Sequence, residues 1–285
     1  MSSFHQKPCI YVGQVFLKVE NIDRSLTFYN NVIGFKILEQ TERKAILSAD
    51  GITPLLTIEQ PENVIPKPKR TTGLYHFAIL LPNRTDLGNV LNHLLQLGYP
   101  LQGGSDHLVS EALYLADPDG NGIEIYVDRP SSNWNWENGE VLMATNPLDA
   151  DSLLEEGKGA SCEALPVETV IGHIHLHVAE LNKIKEFYCQ GLGFNVVSKM
   201  GNQALFISTG GYHHHIGLNT WNGTGAPKPA KNSVGLERFS LVYPNNETRT
   251  KAVNDLRNLG YKSTSIDGDI IVEDPSGNLI QLEVI

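Results

Sequence analysis

Three positions in this 285-residue chain have the residue types and setting to hold a metal ion. The first is His76, in Gly73-Leu74-Tyr75-His76-Phe77. The second is Glu124, in Gly122-Ile123-Glu124-Ile125-Tyr126. The third lies in Gly172-His173-Ile174-His175-Leu176-His177. Strand alternation sends Ile123 and Ile125 to one face and Glu124 and Tyr126 to the other. A carboxylate set among isoleucines is costly to bury without a partner, and a cation shared with imidazoles is one such partner. Two imidazoles and one carboxylate on one side of an ion, with positions left open, form the facial triad of non-haem Fe(II) chemistry.

The elements that must position these residues are repeated. Gly13-Gln14-Val15-Phe16-Leu17 matches Gly172-His173-Ile174-His175-Leu176, and Phe28-Tyr29 with Gly34-Phe35 matches Phe187-Tyr188 with Gly193-Phe194, all at one constant offset. Gly73 to Phe77 matches Gly235 to Phe239, Leu97-Gly98-Tyr99 matches Leu259-Gly260-Tyr261, and the turn Asp117-Pro118-Asp119-Gly120-Asn121 matches Asp274-Pro275-Ser276-Gly277-Asn278. Four modules follow, at about 10–60, 73–128, 170–221 and 235–285. Each reads as a strand, a helix closed by glycine (Gly34, Gly98, Gly193, Gly260) and further short strands, a βαβββ unit. Leu87, Val90, Leu91 and Leu94 mark one helix face; Val253, Leu256 and Leu259 mark another. The fold class is α+β, with four modules building two cup-shaped half-barrel domains at 1–130 and 170–285. The linker 131–169 carries Trp134 and Trp136, which should anchor it, and an acidic stretch with a short helix. Pro61 to Arg70 and the Pro227-Lys228-Pro229 run read as shorter linkers.

Equivalent positions differ in chemistry. The first-strand site holds Gln14, His76, His173 and Arg238, and the last-strand site holds Glu124 in module two but Gln281 in module four. Modules two and three therefore carry the ligand types and are expected to pair with each other. His173 follows its glycine in register with His76, and His175 remains the alternative third ligand. Strand alternation would set His214 opposite His213 and His215. His5 and His93 read as solvated.

A net charge of −10 argues against nucleic acid or an anionic membrane as partner. No apolar run reaches membrane-span length, and there is no signal-peptide core at the N-terminus. Cys9, Cys162 and Cys189 are scattered and read as packing residues of a reducing, cytoplasmic protein without a zinc–thiolate site. Nothing in the composition excludes a homo-oligomer.

The four modules, His76 and the stretch His107…Leu113-Tyr114…Asp117-Pro118…Gly120…Glu124 resemble the vicinal-oxygen-chelate superfamily, and within it the type I extradiol dioxygenases. Ser105, two residues before His107, departs from the family pattern. So does the module order, since the commonest members keep their ligands in modules three and four. The resemblance implies His76, Glu124 and His173 as metal ligands and Fe(II), with Mn(II) as the other ion, as cofactor. It implies a small aromatic diol and O2 as reactants. It further makes His214, from the pair His213-His214, the proton-transfer residue, with His107 and Tyr114 bonding the substrate. The alternatives are a glyoxalase-like isomerase or transferase and a metal-free binding protein of the resistance type.

Overall fold

The computed structural model describes residues 3–157, 159, 163–266 and 268–284; Cys162 lies outside them. Module one comprises β1 (Tyr11–Lys18), α1 (Ile22–Thr27) running into a π-helical turn at Phe28–Ile33, β2 (Lys36–Gln40), β3 (Lys44–Ser48) and β4 (Leu56–Glu59). Module two comprises β5 (Gly73–Leu80), α2 (Arg84–Gln96), β6 (Gly103–Asp106), β7 (Ser110–Ala116) and β8 (Gly122–Asp128). The connector adds β9 (Trp136–Glu137), β10 (Glu140–Val141), β11 (Asn146–Pro147) and α3 (Ala150–Gly157). Module three comprises β12 (Val170–His177), α4 (Leu181–Lys185) with a π-helical turn at Glu186–Gly191, β13 (Asn195–Met200), β14 (Ala204–Ser208) and β15 (Ile216–Asn219). Module four comprises β16 (Gly235–Tyr243), α5 (Asn246–Asn258), β17 (Ser263–Ile266), β18 (Asp269–Glu273) and β19 (Leu279–Val284).

The modules form two curled mixed sheets. One runs β11-β6-β7-β8-β5-β12-β15-β14-β13, joining modules two and three through the antiparallel pair β5–β12. The other runs β17-β18-β19-β16-β1-β4-β3-β2, joining modules four and one through β16–β1. Each half of the sequence thus gives one module to each sheet. The division at 131–169 marks the repeat and not a boundary between two separately built barrels. The central strand β8 is covered on both faces, so Ile123, Ile125 and Tyr126 are all fully buried, whereas the edge strand β2 is largely exposed.

The repeated motifs have identifiable work. The four closing glycines all have positive φ (93°, 63°, 89° and 89°), a conformation a Cβ disfavours. The Asp117 carboxylate folds its turn by accepting the N–H groups of Asp119 (2.9 Å) and Asn121 (2.8 Å). The hydroxyl of Tyr29, from the other module of the same half, caps it at 2.8 Å. Asp274 repeats this with Ser276, Asn278 and the Tyr188 hydroxyl (3.1 Å). The Phe-Tyr dipeptide therefore ties the two modules of a half together, while the sheets tie the halves.

Several expectations need correction. The short helix of the connector, α3, packs on α2, so closely that a Cβ on Gly88 would lie 2.3 Å from the Leu153 carbonyl oxygen. Trp134 is buried and donates to the Arg129 carbonyl, but Trp136 is substantially exposed and anchors nothing comparable. On α5 the buried positions are Ala252 and Leu256, with Val253 only partly covered. His5 is not solvated; it is buried, its Nε2 bonded to the Gly172 carbonyl at 2.7 Å. His93 is half-buried. Cys9 is buried and Cys189 half-buried, both free thiols.

Candidate metal centre

β5 and β12 run side by side, and β8 lies parallel to β5 with Glu124 in register with Ala78. This arrangement gathers His76, Glu124 and His173, all buried, so that each offers a ligand atom within 4.8 Å of the others. The His76 Nε2 lies 3.0 Å and the His173 Nε2 3.1 Å from the same Glu124 oxygen. His76 Nε2 is buried with no hydrogen-bond partner among the described residues. A buried carboxylate with two converging imidazole nitrogens, one of them unspent, fits a divalent transition metal. Burial alone would raise the Glu124 carboxyl, but the His173 and His76 imidazoles hold it well below its ordinary range. Burial pushes His173 down to about 4, with Glu124 opposing, so its ring is neutral and able to ligate near pH 7.

The glycine before His173 is required by contact. A Cβ on Gly172 would lie 1.9 Å from the Tyr126 hydroxyl, whose ring is buried against this point of β12. The neighbouring candidate His175 is also buried, but Asn219 Nδ2 occupies its Nε2 at 2.9 Å. In the other sheet the equivalent positions are filled differently. Gln14 donates to Thr57, Arg238 donates to Gln281, and the Arg238 guanidinium lies 3.8 Å from the centre of the Phe16 ring.

His76 and Glu124 of the cluster line a cavity of about 670 Å³, together with His175, His107, Tyr114, His214 and Phe206. Tyr114 pairs directly with Glu124 across β7 and β8. Burial, and then the Glu124 charge, raise its hydroxyl, so it stays a neutral phenol. His107 Nδ1–H donates to the Ala144 carbonyl at 2.6 Å, which leaves Nε2 to accept the Tyr114 hydroxyl at 2.6 Å.

Residues 212–215 form no strand, so alternation does not govern the triple histidine. His215 is spent structurally on the Phe4 carbonyl (3.0 Å). The His214 ring lies over that of His173, centroids 4.2 Å apart, and its Nδ1 is 2.8 Å from His213 Nδ1. His213 Nε2 in turn donates to Asp128 at 2.7 Å. Asp128 also accepts the Tyr212 hydroxyl at 3.2 Å. Neither Asp128 nor the role of His213 was singled out from sequence, although Asp128 ends the strand that carries Glu124.

A family model described as Glyoxalase/Bleomycin resistance protein/Dioxygenase superfamily matches residues 11–125 and 170–282. The chain belongs to this superfamily. It is 46% identical over 278 residues to a catechol-2,3-dioxygenase of Bacillus subtilis (strain 168), covering 96% of each protein. Among solved structures, one from Bacillus subtilis superposes with a TM-score of 0.64 at 14% identity, covering 98% of this chain and 86% of that one. Glyoxalase I of Zea mays gives 0.58 at 15%, covering 96% and 92%. At these identities the structural likenesses concern the fold alone. Among the described residues no helix is long and apolar enough to cross a membrane.

Proposed function

We propose that this superfamily member is an extradiol dioxygenase that opens a catechol ring with O2, using Fe(II), or alternatively Mn(II), held by His76, Glu124 and His173. The single observation that carries the reading is the buried two-histidine, one-carboxylate cluster at a cavity that also holds His214, His107 and Tyr114, in a chain 46% identical to a catechol-2,3-dioxygenase. When bound, the ion would supply adjacent coordination positions for the two diol oxygens and for O2.

The remaining work falls to the chain. The Asp128 carboxylate fixes a proton on His213 Nε2, so His213 Nδ1 presents a lone pair. His214 must then donate its Nδ1–H, which leaves Nε2 as the basic nitrogen available to the cavity. His214 Nε2 takes a proton from a substrate hydroxyl and later returns it. Tyr114 donates to His107 and offers its oxygen to a substrate hydroxyl. Phe206 and Ile123 give the cavity apolar surface against which an aromatic ring can pack. The free thiols of Cys9 and Cys189 suit a reducing compartment, and the cytoplasm is the proposed location.

Anaerobic loading with Fe(II), then oxygen-uptake measurement with a panel of catechols, tests the reading. One O2 consumed per catechol with a yellow semialdehyde product supports it. A fully loaded chain that leaves every catechol intact overturns it in favour of the isomerase or transferase class.

A further inference from the structure

The hydrogen-bonded line that starts at His214 does not end inside the protein. From His214 Nδ1 to His213 Nδ1 is 2.8 Å, and from His213 Nε2 to Asp128 Oδ1 is 2.7 Å. His214 lines the metal cavity. Asp128 lines a different cavity of about 310 Å³, and the two share none of their described lining residues. The second cavity reaches the surface, since Ser3, Pro130, Ser131 and Glu168 are exposed in its wall. A space of this size admits water and small buffer molecules. Three side chains thus span the distance between the metal cavity and a second opening to solvent.

The middle of this line is sealed and its outer end is not. His213 is fully buried, its ring centroid 4.0 Å from that of Tyr212 and 5.2 Å from that of Trp134. Trp134 is itself part of the second cavity's wall. The Asp128 side chain, by contrast, keeps 19% of its surface exposed. It accepts from His213 and from the Tyr212 hydroxyl on Oδ1, and Oδ2 has no hydrogen-bond partner among the described residues. Fixing a tautomer requires only an acceptor, and a backbone carbonyl does that for His107. A carboxylate can in addition take up a proton, which a carbonyl cannot do near neutral pH. An imidazole, with a nitrogen on each side of its ring, can pass that proton on.

We propose that His214, His213 and Asp128 form a proton relay between the metal cavity and solvent in the second cavity, with Asp128 as its port. The proposal rests on reading the metal cavity as an extradiol site. As a catechol binds, one hydroxyl proton passes to His214 Nε2. The N–H bond at His214 Nδ1 breaks as one forms at His213 Nδ1. The N–H bond at His213 Nε2 then breaks as an O–H bond forms on Asp128, which exchanges the proton with water. The reverse sequence brings a proton back when His214 Nε2–H gives up its own at the later acid step. One proton leaves and one returns, and both rings regain their first tautomers. His213 and Asp128 act through His214 and touch no substrate, so they are relay residues.

The test uses the Fe(II)-loaded full chain. Asp128→Asn keeps an oxygen that accepts the His213 Nε2–H, so the tautomers stand, but its amide takes up no proton. Each chain is mixed with catechol without oxygen, in weak buffer containing a pH indicator. The wild-type chain should release its proton about tenfold faster, or more, than Asp128→Asn at equal iron content. Asp128→Ala opens the His213 edge to the second cavity, where formate can stand in for the lost carboxylate. Formate should raise its rate of oxygen uptake about tenfold and saturably, while Asp128→Ala/His213→Phe gains nothing. That comparison is made within one variant, with and without formate, so a partial loss of folded or loaded protein cancels. Ser131→Ala, in the wall of the same cavity, should match the wild type in both measurements. Proton release by Asp128→Asn at the wild-type rate overturns the relay. So does an Asp128→Ala chain that formate does not improve, or a formate effect that persists without His213. A wild-type chain that consumes no oxygen with any catechol instead condemns the extradiol reading.

Discussion

His213 and His214, neighbours in sequence, face each other Nδ1 to Nδ1 at 2.8 Å, and the Asp128 carboxylate 2.7 Å beyond decides which of them carries the shared proton. Because a carboxylate can only accept, His213 is protonated at Nε2 and accepts at Nδ1. His213→Phe removes that acceptor and frees the His214 ring to take the other tautomer. Turnover is expected to fall by about tenfold or more with iron content unchanged, since tautomer control is part of a general acid–base contribution. His213→Gln, whose amide oxygen can still accept, should lose less. Metal analysis beside steady-state kinetics checks both variants; equal losses would remove the tautomer argument.

His214→Phe should retain iron while kcat drops about a hundredfold, the usual scale for losing a general acid–base group. Its ring nitrogen is not part of the three-residue cluster. An iron-free variant would make His214 a ligand instead.

His76→Ala, Glu124→Ala and His173→Ala should each emerge largely without metal, because a three-ligand site tolerates no loss. Gln14→Ala should stay loaded, since Gln14 bonds Thr57 in the other sheet. Iron per chain, measured after identical reconstitution, distinguishes them. A loaded His173→Ala with an empty Gln14→Ala would move the centre to the other sheet.

Acid should destabilise the metal-free chain well above the carboxylate range. Burial lowers His5 and His173 from 6.5 to about 4, so between these values the unfolded chain binds more protons and stability falls as pH falls. His215, also lowered by burial, acts in the same direction. With on the order of 2 kcal/mol from each of His5 and His173, Tm should drop by roughly 10 °C or more between pH 7 and 4.5. Thermal denaturation followed by circular dichroism across that range measures it. His5→Gln should flatten the slope.

Gly172→Ala places a methyl group 1.9 Å from the Tyr126 hydroxyl in a buried wall. A loss of about 1–3 kcal/mol is expected from overpacking, together with weaker metal retention as β12 shifts. Gly172→Ala combined with Tyr126→Phe, which removes the clashing oxygen, should recover part of both in denaturant titrations and metal analysis.

Much of this protein was determined by its sequence alone, because the relevant signals are local. Glycines at helix ends, the Leu87-Val90-Leu91-Leu94 face of α2 and the Asp-Pro turns report on neighbours a few residues away. Their repetition exposes four modules, and residue type at equivalent positions separates His76, Glu124 and His173 from Gln14, Arg238 and Gln281. That census already argued for joining modules two and three. What only the tertiary structure decided depends on residues far apart in the chain. Asp128 reaches His213 across 85 residues, and His5 reaches Gly172 across 167. No periodicity encodes such meetings, since strand edges choose partners by the fit of whole sheets. His5 is buried against its polarity for a related reason, as polarity predicts exposure only until a buried acceptor such as the Gly172 carbonyl is brought within 2.7 Å, and alternation fails at His213 to His215 because residues 212–215 form no strand.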